Sequence, residues 1–367
     1  MSNTSSAPKK QREHGPYRPP RLSGVSDWHT HWFSPTEIRI LSGRKTPPYI
    51  TKDAQGKAWF TRAADATAAA SKPWPLWDTA TDFAERIRHL DETGVQLQIL
   101  SHAIPLGYDA SIPVEEIKPL FRGINNDLAE IIQKHPGRFL GLAALPTADV
   151  NWAAEELDRA HRELGFLGAS LPLNAFSTLR GAQTLAPIFA VAQKHRSHLL
   201  LHRGAASPNV PGQPGIPAFE DTEWARNTLA NDTQMANAAI TLALTDFLEP
   251  YPDVSVQLVM LGGSIPYVVE HIQQWSRFSG VTIDAAVKFR RLYFDPGPYS
   301  VTPLSVQAAI RAFGADRILF GSDYGPMPTI QSTFVTLDLI LSPLERQLIY
   351  VDNGRALLAA KGTKLPS

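Results

Sequence analysis

The sequence contains no cysteine. Disulfides, thiolate metal sites, iron–sulfur clusters and a catalytic thiol are therefore excluded, and any metal must be held by nitrogen and oxygen. Net charge is also missing: 35 Lys and Arg balance 35 Asp and Glu in 367 residues. Such a chain has no global attraction for nucleic acid or an anionic membrane. Long apolar runs are absent as well. HLLLH and VQLVMLGG fall far short of the ~20 residues a membrane helix needs. The first twenty residues are polar and basic and show no apolar signal-peptide core, so the cytoplasm is the expected compartment. What is present reads as a soluble globular protein, 43% hydrophobic and 19% charged. Proline, at 30 residues, exceeds the usual ~5% and points to stiff loops over a regular scaffold.

From Gly24 onward, short apolar runs alternate with stretches of helical spacing. Strands are expected at 24–33, 95–103, 139–145, 166–173, 198–204, 254–263, 291–297 and 317–323. Helical patterns fit 80–94, 119–134, 151–165, 184–195, 233–249, 264–278 and 303–313. Eight such units predict a single α/β domain, a (β/α)8 TIM barrel over 24–361. A flexible N-terminal arm over 1–23 and a C-terminal tail over 362–367 flank it. Two long non-periodic insertions, 34–79 and 204–232, follow the carboxyl ends of strands one and five, the face where barrel enzymes carry their sites. An open dinucleotide-binding sheet is disfavoured, because no G-x-G-x-x-G follows any strand.

The strongest chemical signal is Asp27-Trp28-His29-Thr30-His31. Residues two apart on a strand share a face, so His29 and His31 project together and two imidazoles could hold one divalent cation. Alone, such a pair also arises by chance, with one histidine capping the strand end. It is not alone. His202 closes the apolar strand HLLLH, and Asp323 closes the last strand in Phe320-Gly321-Ser322-Asp323. Three histidines and an aspartate at strand ends suit Zn²⁺ or another first-row divalent ion such as Mn²⁺.

This constellation resembles the amidohydrolase superfamily, in the branch around aminocarboxymuconate-semialdehyde decarboxylase and γ-resorcylate decarboxylase. The resemblance runs over about residues 24–360. It rests on Asp27-x-His29-x-His31, on FAERIRHLDETGVQLQILS, on NNDLAEIIQKHPGRFLGLAALP, on ILFGSDYG and on VDNGRALL. It implies a barrel with metal ligation by His29, His31, His202 and Asp323, and a homodimer or larger homo-oligomer. One position departs from the pattern. Where that branch has a histidine directly before Leu-Gly-Gly, this chain has Met260. A thioether has no proton to give and prefers soft ions. His102, ending strand two, is the candidate replacement. It could face the mouth, or it could be a loop histidine bonded to nearby backbone.

Candidate substrate contacts are Arg203, Arg62, Trp32 and Met260. Arg203 could grip a carboxylate bidentately, although strand alternation turns it from His202 and a structural ion pair competes. Arg62 lies in the first insertion, where a solvated surface charge is the plainer reading. Trp28, Trp32, Trp59, Trp74 and Trp77 cluster in or near that insertion. Aromatic rings at a mouth suit a flat, unsaturated substrate, yet most of these are expected to plug loop cores. Asp295 could support the site or cap a loop. Gly262-Gly263 could open an anion-binding helix start or simply form a tight turn. His161 and His271 lie on helical patterns and read as surface histidines.

The leading expectation is metal-dependent, non-oxidative decarboxylation of an aromatic or dienoic carboxylic acid, with Asp323 passing a proton to carbon and no organic cofactor. The alternative is hydrolysis of a lactone, ester or amide, which needs water activation. A non-catalytic barrel that binds a small acid is the third. The partner is in each case a small molecule, with no nucleic acid and no membrane.

Overall fold

The computed structural model describes residues 22–64, 72–215 and 220–363. Most of the expected arm and tail lies outside them. Strand β1 (Val25–His31) is buried along its whole length. It pairs in parallel with β5 (Val95–Ser101), and the order continues through β6 (Phe139–Ala144), β7 (Gly168–Pro172), β8 (His198–His202), β9 (Ser255–Leu258) and β10 (Tyr293–Phe294). Strands β2 to β4 belong to the insertion described below. Strands covered on both faces should be nearly continuous in apolar residues. Leu199, Leu200 and Leu201 of β8 meet that demand and are completely buried.

The expected eighth strand is not a regular strand. Residues 318–324 instead lie between β10 and β1 and are held by single bridges, Phe294 to Ile318 and Thr30 to Tyr324. Leu319 N–H donates to the Phe294 carbonyl at 2.8 Å, and Trp28 N–H to the Phe320 carbonyl at 2.8 Å. The segment closes the barrel but cannot run on as a ladder, because Asp323 has φ of 59°, outside the extended region. The buried Asp27 carboxylate compensates. It accepts from the Ser322 N–H at 3.0 Å, the Ser322 hydroxyl at 2.6 Å and Gln98 Nε2 at 3.0 Å. One carboxylate thus ties the eighth segment to β1 and β5.

The helices lie where periodicity placed them, with changed ends. Asp82, Asp149 and Thr302 cap helices Phe83–Thr93, Val150–Leu164 and Pro303–Phe313 by accepting from backbone N–H groups, as short oxygen-bearing side chains do. The helix expected at 119–134 starts earlier, at Val114, and runs through Pro119. The one expected at 233–249 spans Glu223–Leu244, so the second insertion is shorter than the pattern suggested.

The first insertion is not structureless. Ser34 and Glu37 form a reciprocal capping box, with Pro35 at the first helical position, and start helix Pro35–Ser42. A small antiparallel sheet follows, β2 (Tyr49–Lys52), β3 (Ala58–Thr61) and β4 (Trp74–Pro75). Its own small core contains Trp74 stacked on Trp77 at 4.9 Å and Phe60 against Trp74 at 4.9 Å. These tryptophans plug a loop core, as expected of most of them.

Removing the Asp27 carboxylate would leave three buried donors unsatisfied, each costing ~1–3 kcal/mol. Asp27→Ala is therefore expected to lower stability by at least ~2 kcal/mol. The urea midpoint checks this, and an unchanged midpoint would refute the closing role.

Candidate metal centre

The carboxyl ends of β1 and β8 and the eighth segment bring four side chains together. The ligand atoms of His29, His31, His202 and Asp323 lie within 4.8 Å of one another, and all four residues are buried. His202 Nε2 is 3.0 Å from His29 Nε2 and 3.1 Å from His31 Nε2. Asp323 Oδ1 is 3.1 Å from His31 Nε2 and 3.5 Å from His29 Nε2. The left-handed turn at Asp323 that breaks the eighth strand carries this carboxylate into the group, with its N–H on the His29 carbonyl at 2.7 Å.

The far side of each imidazole fixes its tautomer. His29 Nδ1 donates to Asp295 Oδ1 at 2.7 Å. His31 Nδ1 lies 3.2 Å from Ser101 Oγ, whose own proton goes to the Thr30 carbonyl, so the hydroxyl accepts. His202 Nδ1 donates to the Arg203 carbonyl at 3.1 Å. With every Nδ1 carrying hydrogen, each neutral ring presents an Nε2 lone pair, and the three lone pairs converge. The buried Asp323 Oδ1, facing the same point, makes no hydrogen bond. Converging lone pairs and a carboxylate repel one another unless a cation sits among them. The donor set fits a divalent first-row metal ion, and the Asp295–His29 bond is the kind of outer contact that orients metal-binding histidines.

Ionisation follows the same pattern. Burial opposes charge on His29, but the Asp295 carboxylate beside it, helped by Asp323 and Asp27, raises its pKa to about 9. Burial lowers His31, and lowers His202 well below the usual histidine value, with the neighbouring imidazoles adding to the effect on His202. The centre therefore favours one positive charge, a proton or a metal. Behind it runs a buried polar chain. Gln257 Nε2 donates to Asp295 Oδ2 at 2.6 Å, and the Gln257 carbonyl oxygen meets His198 Nε2 at 3.0 Å.

Other residues named from sequence fall around this group. Met260 is buried and opens a run of left-handed backbone through Leu261, Gly262 and Gly263. Its side chain and the His29 ring both flank Gly297, where an added Cβ would lie 3.5 Å from Met260 Cγ and 3.7 Å from His29 Cε1. The Gly262-Gly263 segment is a tight turn, not an anion site. The N–H groups of Gly262, Gly263 and Ser264 are already bonded to the carbonyls of Val259, Met260 and Asp232. Asp295 supports His29 rather than capping a loop. Arg203 lines a cavity with Met260.

His102 does not join the four ligand candidates. Its ring packs on Tyr108 and Phe121 at 4.9 and 5.4 Å, and Nδ1 is 3.9 Å from Glu37 Oε1. Neither ring nitrogen is hydrogen-bonded, and burial lowers its pKa to about 3. Arg62 is buried, not solvated, and its Nε donates to the Pro105 carbonyl at 2.8 Å. Trp32 packs edge-on against Phe83 at 6.0 Å. His161 is bonded to Ser197 and stacked on His195.

Sequence reasoning passed over Glu37, Tyr108, Ser101 and Gln257. Glu37 had a local signal in the capping box Ser34-x-x-Glu37. The other three are ordinary strand or loop residues whose partners are distant in the chain.

Three imidazoles and a carboxylate at strand ends of a parallel barrel define a metal-dependent barrel protein of the hydrolase type. The chain belongs to the amidohydrolase family, whose model matches residues 26–359. It is 30% identical to γ-resorcylate decarboxylase of Polaromonas sp. strain JS666 over 270 residues, 69% of this chain and 80% of that one. It is 37% identical to decarboxylase orsB of Emericella nidulans over 254 residues, 65% of this chain and 72% of that one. Among solved structures, 2,6-dihydroxybenzoate decarboxylase from Rhizobium superposes with a TM-score of 0.68 at 21% identity, covering 92% of this chain and 99% of that one. Dihydroxybenzoic acid decarboxylase from Polaromonas sp. JS666, solved with manganese and 2-nitroresorcinol, gives 0.68 at 22%, covering 92% and 97%.

Two outcomes test the centre. Asp295→Ala should weaken divalent-metal affinity about 10- to 100-fold, because an outer partner holds the His29 tautomer; metal titration followed by elemental analysis reads it. The second concerns His102. Its folded pKa of about 3 lies below the ordinary histidine value of 6.5. Its contribution to stability is thus complete above pH 6.5 and is lost as pH falls from 6.5 toward 3. His102→Phe should flatten that part of the stability–pH curve. Identical slopes in urea unfolding at pH 7 and pH 5 for variant and parent would refute it.

Proposed function

We propose that the protein catalyses metal-dependent, non-oxidative decarboxylation of an aromatic or dienoic carboxylic acid. The observation that carries this reading is the convergence of three imidazole lone pairs and the Asp323 carboxylate beside a thioether. The similarity to γ-resorcylate decarboxylase and to decarboxylase orsB supports it. His29, His31, His202 and Asp323 would hold the ion. The donor types first suggested zinc; the manganese in the Polaromonas structure favours manganese. A divalent cation there supplies a positive anchor for the substrate carboxylate and a neighbouring oxygen.

The chain's own residues do the rest. Asp323, in its protonated form, delivers a proton to the ring carbon that bears the carboxylate. The carbon–carbon bond then breaks, its electron pair restores the ring, and CO₂ leaves. Arg203, beside the cavity, is the proposed carboxylate contact, ahead of Arg62 and Trp32. Met260 offers the substrate an apolar surface and no proton. Hydrolysis of a lactone, ester or amide would need a base to activate water. Met260 cannot serve, and His102, kept neutral by burial, is the proposed substitute in that case. The proposed assembly is a homodimer or larger homo-oligomer. No helix among the described residues is long and apolar enough to cross a membrane.

The test is CO₂ release from a panel of hydroxybenzoic and muconate-type acids by the manganese-loaded protein. In D₂O, one deuterium should enter the product at the former carboxyl-bearing carbon. Asp323→Asn should lower kcat by about 10²- to 10⁴-fold, the range for a lost proton donor. No CO₂ from any acid would overturn the reading. Entry of ¹⁸O from water into a cleaved lactone, ester or amide would establish the hydrolase instead. A purified protein that binds well under one metal per chain would favour a non-catalytic barrel.

A further inference from the structure

A second concentration of charge lies at the other end of the barrel from the metal centre. A cavity of about 360 Å³ is formed there, at the amino ends of β8, β9, β10 and the eighth segment. Five cations line it. Arg196 stands two residues before β8, Arg290 and Arg291 precede β10, Arg317 precedes the eighth segment, and Lys361 follows the closing helix Asn353–Ala360. Among the described lining residues, Asp253 is the one carboxylate.

A purely structural cluster would give each cation a carboxylate, and here the carboxylates fall short. Asp316 is bound by Arg290, through Nη1 at 3.0 Å and Nη2 at 2.8 Å, and Arg317 Nε only approaches it at 3.5 Å. Asp253 accepts instead from Gln193 Nε2 at 2.8 Å. Lys361 Nζ donates to the carbonyls of Asp253 and Ser197 at 2.9 and 3.2 Å, and Arg291 Nη2 to that of Tyr251 at 2.8 Å. Carbonyls take up those protons without cancelling the charge. Arg317 Nε is buried and makes no hydrogen bond, and its guanidinium lies 5.3 Å from the centre of the Tyr293 ring. The repulsion is visible in ionisation. Burial, with the positive charges of Arg291 and Arg196 nearby, lowers Lys361 to about 8 against the pull of Asp253. Burial lowers Arg291 too, and Arg317 adds to the effect.

Arg196 adds a sign of its own. It ends helix Ala186–His195 with φ of 53°, a left-handed position that glycine usually fills. Its side chain is exposed and makes no ion pair among the described residues. A long cation is thus kept at a backbone position that disfavours it, the kind of outlier from which a functional role is inferred. Five cations against Asp253 and Asp316 leave an excess of three positive charges. A dianion with several acceptor oxygens matches that excess, because each guanidinium fork takes two oxygens and the ammonium another. A singly charged acid would leave most of the excess in place. We propose that this cavity binds a phosphoryl dianion, either inorganic phosphate or the head of a small phosphate monoester, through Arg196, Arg291, Arg317 and Lys361. The site stands apart from the reaction proposed at the metal centre and does not depend on it.

The test is titration calorimetry on the full-length, manganese-loaded protein, desalted and held at constant ionic strength. The probes are inorganic phosphate, phenyl phosphate and dimethyl phosphate, the last a single negative charge on the same phosphorus. The first two should bind one per chain. Dimethyl phosphate should bind at least about tenfold more weakly, because charge-assisted bonds to the second negative charge are lost. Tighter binding of phenyl phosphate identifies the monoester as the ligand, and equal affinities identify the free ion. Arg317→Gln should weaken both about tenfold or more. Arg196→Ala, whose exposed side chain holds nothing in the fold, repeats the test if that variant does not fold. Arg88→Gln takes the same charge from surface pairs with Glu85 and Glu92, and should change affinity by less than about twofold. Manganese content should be the same in all three variants. No saturation below about 10 mM overturns the proposal. So does an equal loss in Arg88→Gln, which would make the attraction a diffuse one. So does binding that survives Arg317→Gln and Arg196→Ala yet disappears when manganese is stripped, which would put the anion at the metal centre.

Discussion

The whole site depends on where three protons sit. The Nδ1 hydrogens of His29, His31 and His202 are committed to Asp295, to Ser101 and to the Arg203 carbonyl. That commitment turns three Nε2 lone pairs toward one point and leaves the Asp323 carboxylate facing them. Each partner is supplied by a different part of the fold: Asp295 follows β10, Ser101 ends β5, and the Arg203 carbonyl begins the loop after β8. The barrel has to be closed and in register before the rings can take these tautomers. Metal binding and folding are consequently linked, since the ion would relieve a repulsion that only the folded chain creates.

Much of this was legible in the sequence because strands impose a strict period. Alternation and strand length put His29 and His31 on one face of β1 and His202 at the end of HLLLH, while their joint role as ligands came from the resemblance to the amidohydrolase superfamily. Asp323 was legible for a less regular reason. It closes the last apolar run, yet the structure delivers it through a left-handed turn, not an extended strand end. The first insertion was misread because its order comes from contacts that no periodicity announces. The Trp74–Trp77 stack joins neighbours in a segment without repeating pattern. His102 was legible only as a position. Its place at a strand end shows in the sequence, whereas the enclosure of its ring by Tyr108, Phe121 and Glu37, contributed by other segments, does not.

Met260 shows how a single departure can redirect a site without dismantling it. The four ligand candidates remain converged although the neighbouring position holds a thioether, because the ligands are aligned from behind and not through Met260. The left-handed turn that begins at Met260 instead fastens walls of the cavity that Met260 lines. Absence of a proton-bearing side chain beside the ligand candidates and presence of a thioether wall are thus one residue, Met260, seen from two sides.

The eighth segment meets β1 through three backbone hydrogen bonds and the Asp27 clip, and β10 through one, without running on as a regular strand. A ring of strands fastened this way resembles a hoop with a clasp, and the clasp runs beside His29 and Asp323. Opening it would take the centre apart while most of the sheet was still intact. Occupancy of the centre would act as a bolt across that clasp, since His29 and Asp323 stand on opposite sides of it.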